Sequence, residues 1–214
     1  MAKSSIEPTG KTGEETYARI LETTAWLIAR DGIRGMRMSH VAAEAGVSNA
    51  LLHYYFASRE DLVSRAFDAF YEKGTDRYRE RLAGITHPVT RLRVELLLSL
   101  EDHPDNRLDW MIWLELARDA MHDEDRRTLY QEKAGMWIAD VAGQIQKAKD
   151  AKFVPASVDT RSAALRLIAS MEGFGWYVLI GQIEWDEAVA CIDQAFMTEL
   201  GTVGPPPPVG VVHP

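Results

Sequence analysis

The sequence predicts an all-α chain of about nine helices, with a small N-terminal three-helix head followed by a larger helical body. Three observations predict it. Apolar residues recur at helical spacing with little sign of strand alternation. Glycine and proline stand where the periodic stretches end. Within Ser39–Leu62, SHVAAEAGVSNALLHYYFASREDL, the serines 39, 48 and 58 mark three helix starts in about twenty residues.

Taken in order, the helices are expected near 14–31, 39–45, 49–56, 59–82, 88–101, 106–121, 124–150, 159–182 and 185–200. Gly32 follows the first and Gly84 the fourth, Pro88 and Pro104 bracket the fifth, and Pro155 separates the seventh from the eighth. The organisation that follows is a flexible arm (1–13), a helix-turn-helix head (14–58), a body (59–203) and an extended, disordered proline-rich tail (204–214, GPPPPVGVVHP).

The second and third helices carry the sharpest chemistry. Val41, Ala42 and Ala45 lead into Gly46 and Val47, and a new helix starts at Ser48. Two short helices joined by a tight glycine turn are the construction that lays a second helix in the DNA major groove. At about 100° per residue, Asn49, Ala50, His53 and Tyr54 share one side, Leu52, Tyr55 and Phe56 the other, and Leu51 the border. Asn pairs with an adenine edge, His and Tyr donate to base or phosphate acceptors, and Ala or Leu meets a thymine methyl, so Ser48, Asn49, Ala50, Leu51, His53 and Tyr54 are the expected base-reading set. At Ser58 the run SRED is read as a capping box in which Asp61 reaches back to the Ser58 amide.

Charge fits this once its distribution is considered. The 214 residues carry a formal charge of −8, which by itself repels DNA. Residues 1–60 hold seven basic and seven acidic groups, so the whole acidic excess lies beyond them, and between Gly32 and Arg59 three arginines face Glu44 alone. Arg34, Arg37 and Arg59, with Ser39, are the expected phosphate contacts, and Lys3 and Lys11 sit on the arm. Apolar residues at 46% suit a soluble chain; no apolar run is long enough to span a bilayer, and no secretory core precedes Gly13, so a cytoplasmic protein without membrane contact is expected. Cys191, the one cysteine, has no disulfide partner.

The run from Arg19 to Leu62, with RILETTAWLIARDG, MSHVAAEAGVSNALLHYYF and SREDL, resembles the N-terminal domain of the TetR family of bacterial transcription regulators. The resemblance implies a DNA-binding head and an all-helical body that dimerises and binds a small effector. His53 stands where the family usually has Tyr, and Arg59 where it often has Lys; both keep a hydrogen-bond donor. The segments WLELARDAMHDEDRRTLY and GFGWYVLIG are similar to the subgroup that includes the choline-responsive regulator of betaine synthesis.

Two body helices are apolar around their whole circumference, Leu108–Met121 and the eighth, and each encloses one carboxylate, Glu115 and Glu172. A buried carboxylate needs a partner or a task. Either an arginine such as Arg118 or Arg166 supplies the partner, or the carboxylate reaches the surface between helices, or it anchors an effector among Trp110, Trp113, Trp137, Met171 and Trp176, cationic through cation–π contact or else uncharged and hydrophobic. Apolar stripes with small residues, Ala164, Ile168 and Gly175 on the eighth helix and Ile192 and Phe196 on the ninth, are the expected homodimer interface, although core packing gives the same stripes.

The resulting expectation is a ligand-responsive regulator, a repressor that holds a palindromic operator on double-stranded DNA as a dimer and is released by a small effector, with no cofactor and no metal. Its rivals are a helical bundle with a metal or enzymatic site, and the same fold acting through a protein partner. Against an enzyme, there is no HExxH, P-loop, CxxC or GxGxxG, and the six histidines form no cluster beyond His103 and His122 near Asp123.

Overall fold

In a computed structural model that describes residues 8–100 and 104–201, every helix the periodicity marks is present. They are α1 (Lys11–Gly35), α2 (Met38–Glu44), α3 (Asn49–Tyr55), α4 (Arg59–Arg81), α5 (Pro88–Leu98), α6 (Pro104–Ala120), α7 (Glu124–Asp150), α8 (Thr160–Leu179) and α9 (Trp185–Leu200), and no strand occurs among the described residues. None of these helices is long and apolar enough to cross a membrane. Lys3, His103, most of the expected arm and the proline-rich tail lie outside the described residues.

The chain forms two compact units. The first comprises the described residues up to Asp76 together with Arg107–Gln131; the second comprises Arg77–Asn106 and the chain from Glu132 onward. The helices α4, α6 and α7 each contribute to both. The first unit therefore extends past the head expected to end at 58, taking in most of α4 and of α6.

Its core is built from one face of each head helix. Ile20, Leu27 and Ile28 of α1, Val41 of α2, Leu52 and Phe56 at α3, Leu62 and Val63 of α4, and Ile112 and Leu116 of α6 are all essentially inaccessible to water. Tyr17 stacks on Phe56 with ring centroids 5.1 Å apart and meets Tyr55 edge-on at 5.5 Å, so α1 is keyed to the end of α3 by aromatic geometry.

The turn between α2 and α3 closes on Gly46. Its φ of +65° lets the Val47 amide reach the Ala42 carbonyl at 2.9 Å and its own amide reach Ala43 at 3.2 Å, the paired bonds of a Schellman termination. Arg19 adds a third bond from outside, Nε to the Ala45 carbonyl at 3.0 Å.

Local details depart from the sequence reading. The α2 backbone closes on the Arg37 carbonyl, which accepts from both His40 and Val41 at 3.0 Å, so Ser39 lies inside the first turn rather than capping it. At α4, Ser58 Oγ accepts from the Asp61 amide at 3.1 Å as expected, but Asp61 Oδ2 takes the Ala57 amide at 2.9 Å and not that of Ser58. Neither apolar helix is sealed from water: Met111 of α6 is 47% exposed, and α8 shows Leu165, Trp176, Tyr177 and Ile180 to solvent.

In the second unit α8 lies along α9. Asp159 caps α8 by accepting from the Ser162 amide at 2.8 Å, and the Ser162 hydroxyl together with that amide holds its carboxyl below the usual range. Ala164, Ile168 and Gly175 of α8 and Ile192 and Phe196 of α9, expected at a subunit interface, are buried within the single chain instead. α8 and α9 pack against each other, and these positions are already covered in the chain by itself.

Candidate nucleic-acid interface

The short helix α3 is held rigidly from one side. Ser48 Oγ accepts from the Leu51 amide at 3.1 Å, the Phe56 amide donates to Leu52 at 3.0 Å, and Leu52, Tyr55 and Phe56 plunge into the core. With those three anchored, the helical period leaves Ser48, Asn49, Ala50, His53 and Tyr54 exposed and Leu51 half-buried at the border. Five of the six expected reading residues thus lie on one outward strip, with Leu51 at its edge. Strips of this kind, small and polar with one amide side chain, fit the donor and acceptor pattern of a major groove.

The expected phosphate contacts divide. Arg37 is exposed at the N-terminus of α2, beside Ser39, also exposed. Arg34 is well exposed but gives Nε to Asp119 at 3.0 Å. Arg59 is turned inward: Nε donates to the Met36 carbonyl at 3.1 Å and Nη2 to the carbonyl of Ile33, so its guanidinium fastens the backbone before α2 rather than presenting itself outward. An arginine has no acceptor and five donors, and here two of them go to backbone carbonyls and Nη1 reaches Glu60 Oε1 at 3.4 Å.

The residues expected around an effector are spread over both units. In the first, Trp110 is buried, Trp113 packs against Tyr130 with centroids 4.8 Å apart, and Glu115 is paired with Arg118, whose Nη2 reaches Oε2 at 2.6 Å. The hydrogen bond to Glu115 raises the Arg118 pKa. In the second, Met171 is buried and accepts from the Ser99 hydroxyl at 3.1 Å, Trp137 and Glu172 are half-buried, and Trp176 is 44% exposed. Arg166, the other candidate partner, pairs with Glu199 at 2.6 Å.

A different carboxylate, half-buried, went unnoticed in the sequence. Glu95 of α5 accepts from Nε2 of Gln144 on α7, and the same nitrogen donates to Asp140 at 3.1 Å. Burial, aided by the adjacent Asp140, pushes Glu95 up to about 7. Its signal was the apolar run VELLLSL around it, the same signal that singled out Glu115. Among the described residues no three His, Cys, Asp or Glu side chains converge as a metal site.

Comparison with known proteins matches two family models, one after the other along the chain. Residues 20–66 match the family model described as bacterial regulatory proteins, tetR family, and residues 88–201 match BetI-type transcriptional repressor, C-terminal. A TetR-family regulator from Rhodococcus sp. superposes with a TM-score of 0.79 at 28% identity, covering 87% of this chain and 98% of that one. A transcriptional regulator from Saccharomonospora viridis, solved in complex with choline, gives 0.75 at 29% identity, covering 86% and 96%. The Escherichia coli transcriptional regulator RutR is 28% identical over 163 residues, 72% of this chain and 75% of its own.

Proposed function

Since the chain belongs to the TetR family of bacterial transcription regulators and carries a BetI-type C-terminal domain, we propose that it represses transcription from a palindromic operator as a homodimer and leaves DNA when a small effector binds. The observation that carries this reading is the outward strip of Ser48, Asn49, Ala50, His53 and Tyr54 over a helix anchored by Leu52, Tyr55 and Phe56. Arg37 and Ser39 are assigned to the flanking phosphates, with Arg34 contributing its remaining donors.

One α3 reads only a few base pairs, and a two-fold pairing sets a second copy roughly 34 Å along the duplex, one helical turn away. The dimer is assigned to the outer face of α8, where Leu165, Trp176, Tyr177 and Ile180 stand exposed and Ala169 and Gly173 permit close approach. This replaces the buried stripes of the sequence reading.

For the effector we assign a quaternary ammonium cation. Support comes from the choline held by the Saccharomonospora viridis neighbour and from a carboxylate, Glu172, and an indole, Trp137, both half-buried in the second unit. Such a ligand alters DNA affinity only by binding one state of the dimer more tightly than the other. The cell compartment that follows is the cytoplasm.

The test is selection of genomic fragments by the purified protein, followed by anisotropy titration of the retained duplex and addition of choline. The expected result is a palindromic site bound tightly and released by choline. Failure to retain any duplex at low salt overturns the reading, and tighter retention with choline reverses its sign.

A further inference from the structure

Two carboxylates of α6 close on the end of α1, where Gly32 breaks the helical backbone and the chain turns toward α2. Glu115 Oε2 lies 3.4 Å from the Ile33 amide, and its position is fixed by Arg118, which donates Nε to Oε1 at 3.2 Å and Nη2 to Oε2 at 2.6 Å. One turn along, the buried Asp119 takes Arg34 Nε at 3.0 Å. From α4, Arg59 binds the carbonyls of Ile33 and Met36. The stretch 32–36 is thus held at an amide and a side chain by α6 and at two carbonyls by α4.

Gly32 makes the arrangement possible in two separate ways. Its φ of +76° with ψ of 159° belongs to a region that side chains essentially exclude. A Cβ there would also stand 2.8 Å from Glu115 Oε2, closer than real Cβ contacts come. The glycine turns the chain and lets a carboxylate approach the backbone it turns. Arg34, expected to serve DNA alone, is tied by the same device, because Asp119 is nearly inaccessible while the arginine is largely exposed.

We propose that Glu115 and Asp119 are positioning residues for DNA reading: they hold the Gly32–Met36 corner and through it the setting of α2 and the exposed strip of α3. The inference rests on the operator reading above, and concerns how the head is held rather than what it contacts. Neither carboxylate touches DNA in this role. Both act through backbone and side chain of the first unit, where a misplacement of about 1 Å is enough to spoil hydrogen bonds to base edges.

Full-length Glu115→Gln and Asp119→Asn serve as the test, with Glu124→Gln, which alters a surface pair with Arg127, as control. The probe is the genomic duplex retained by the wild-type chain, titrated well below the melting temperature of each variant. Affinity is expected to fall about tenfold for the two α6 variants and to stay unchanged for the control. Without DNA, the Ile33 amide is expected to exchange about tenfold faster in Glu115→Gln than in wild type. Wild-type affinity in both α6 variants overturns the positioning role alone, and an unchanged Ile33 exchange rate overturns the clamp. A wild-type chain that retains no duplex overturns the operator reading and the positioning role with it.

Discussion

Arg93 of α5 embraces Asp193 of α9, donating Nε to Oδ1 at 2.6 Å and Nη2 to Oδ2 at 2.7 Å, with little of either side chain accessible to water. The two residues are 100 positions apart in sequence, and the fork geometry of guanidinium on carboxylate fixes the two helices in direction as well as distance.

Removing one member leaves the other charged and enclosed. Arg93→Met or Asp193→Ala is therefore expected to lower unfolding free energy by about 3–5 kcal/mol, whereas the joint change to Met and Leu is expected to recover most of that loss. Denaturant titration of the three variants checks it; equal losses in the single and joint variants would contradict the pairing.

Glu95 gives a pH dependence with a definite sign. Its folded pKa of about 7 lies above the ordinary carboxylate value near 4.5, so between those limits the folded state holds a proton that the unfolded chain has released. Stability from this group is complete at acid pH and is lost as pH rises through about 7. Glu95→Gln keeps an acceptor for Gln144 and removes the titration. The variant is expected to match wild type near pH 4.5 and to exceed it by on the order of 2 kcal/mol at pH 8. Melting curves across that range decide the matter, and a wild-type slope retained by the variant would refute it.

The two faces of α3 are expected to separate binding from stability. Asn49→Ala and His53→Ala alter exposed positions, so melting should stay within about 0.5 kcal/mol of wild type. Operator affinity should weaken by about 1–3 kcal/mol for each side chain that no longer reaches a base edge. Leu52→Ala opens a cavity at a fully buried position and should cost about 2–5 kcal/mol of stability. Anisotropy and denaturant unfolding on the same preparations distinguish the two outcomes.

What could be read from the sequence was what local rules determine. Helix starts at Asn49 and Arg59 follow from Ser48 and Ser58, and the outward strip of α3 follows from the helical period once Leu52 and Phe56 are taken as core. Partners distant in sequence were not readable. The apolar run around Glu115 said that the carboxylate needed a counterpart, and Arg118 was among the candidates, but nothing local said that its second neighbour would be an amide 82 positions earlier. Arg59 illustrates the same limit: a guanidinium near a DNA-reading helix suits phosphate, and only the fold shows two backbone carbonyls closer at hand. The stripes of α8 and α9 were correctly seen as apolar contact surfaces, yet a stripe does not encode whether its partner is in the same chain.

The reassigned dimer face yields a last prediction that tells those two surfaces apart. Trp176 is 44% and Ile180 54% exposed, so neither is needed to fill the core of the single chain. Trp176→Glu places a charge on the proposed contact, where a second copy would bury it without a counter-ion, and should shift the protein from dimer to monomer while its helical content persists. Ile192 is 1% exposed against α8, and Ile192→Ala should instead cost about 2–5 kcal/mol of unfolding free energy. Sedimentation velocity read beside chemical unfolding separates the two. Monomers from Ile192→Ala at full stability, with intact dimers from Trp176→Glu, would return the interface to the buried stripes; the opposite pattern follows if the outer face of α8 carries the pairing that spaces two copies of α3 along the operator.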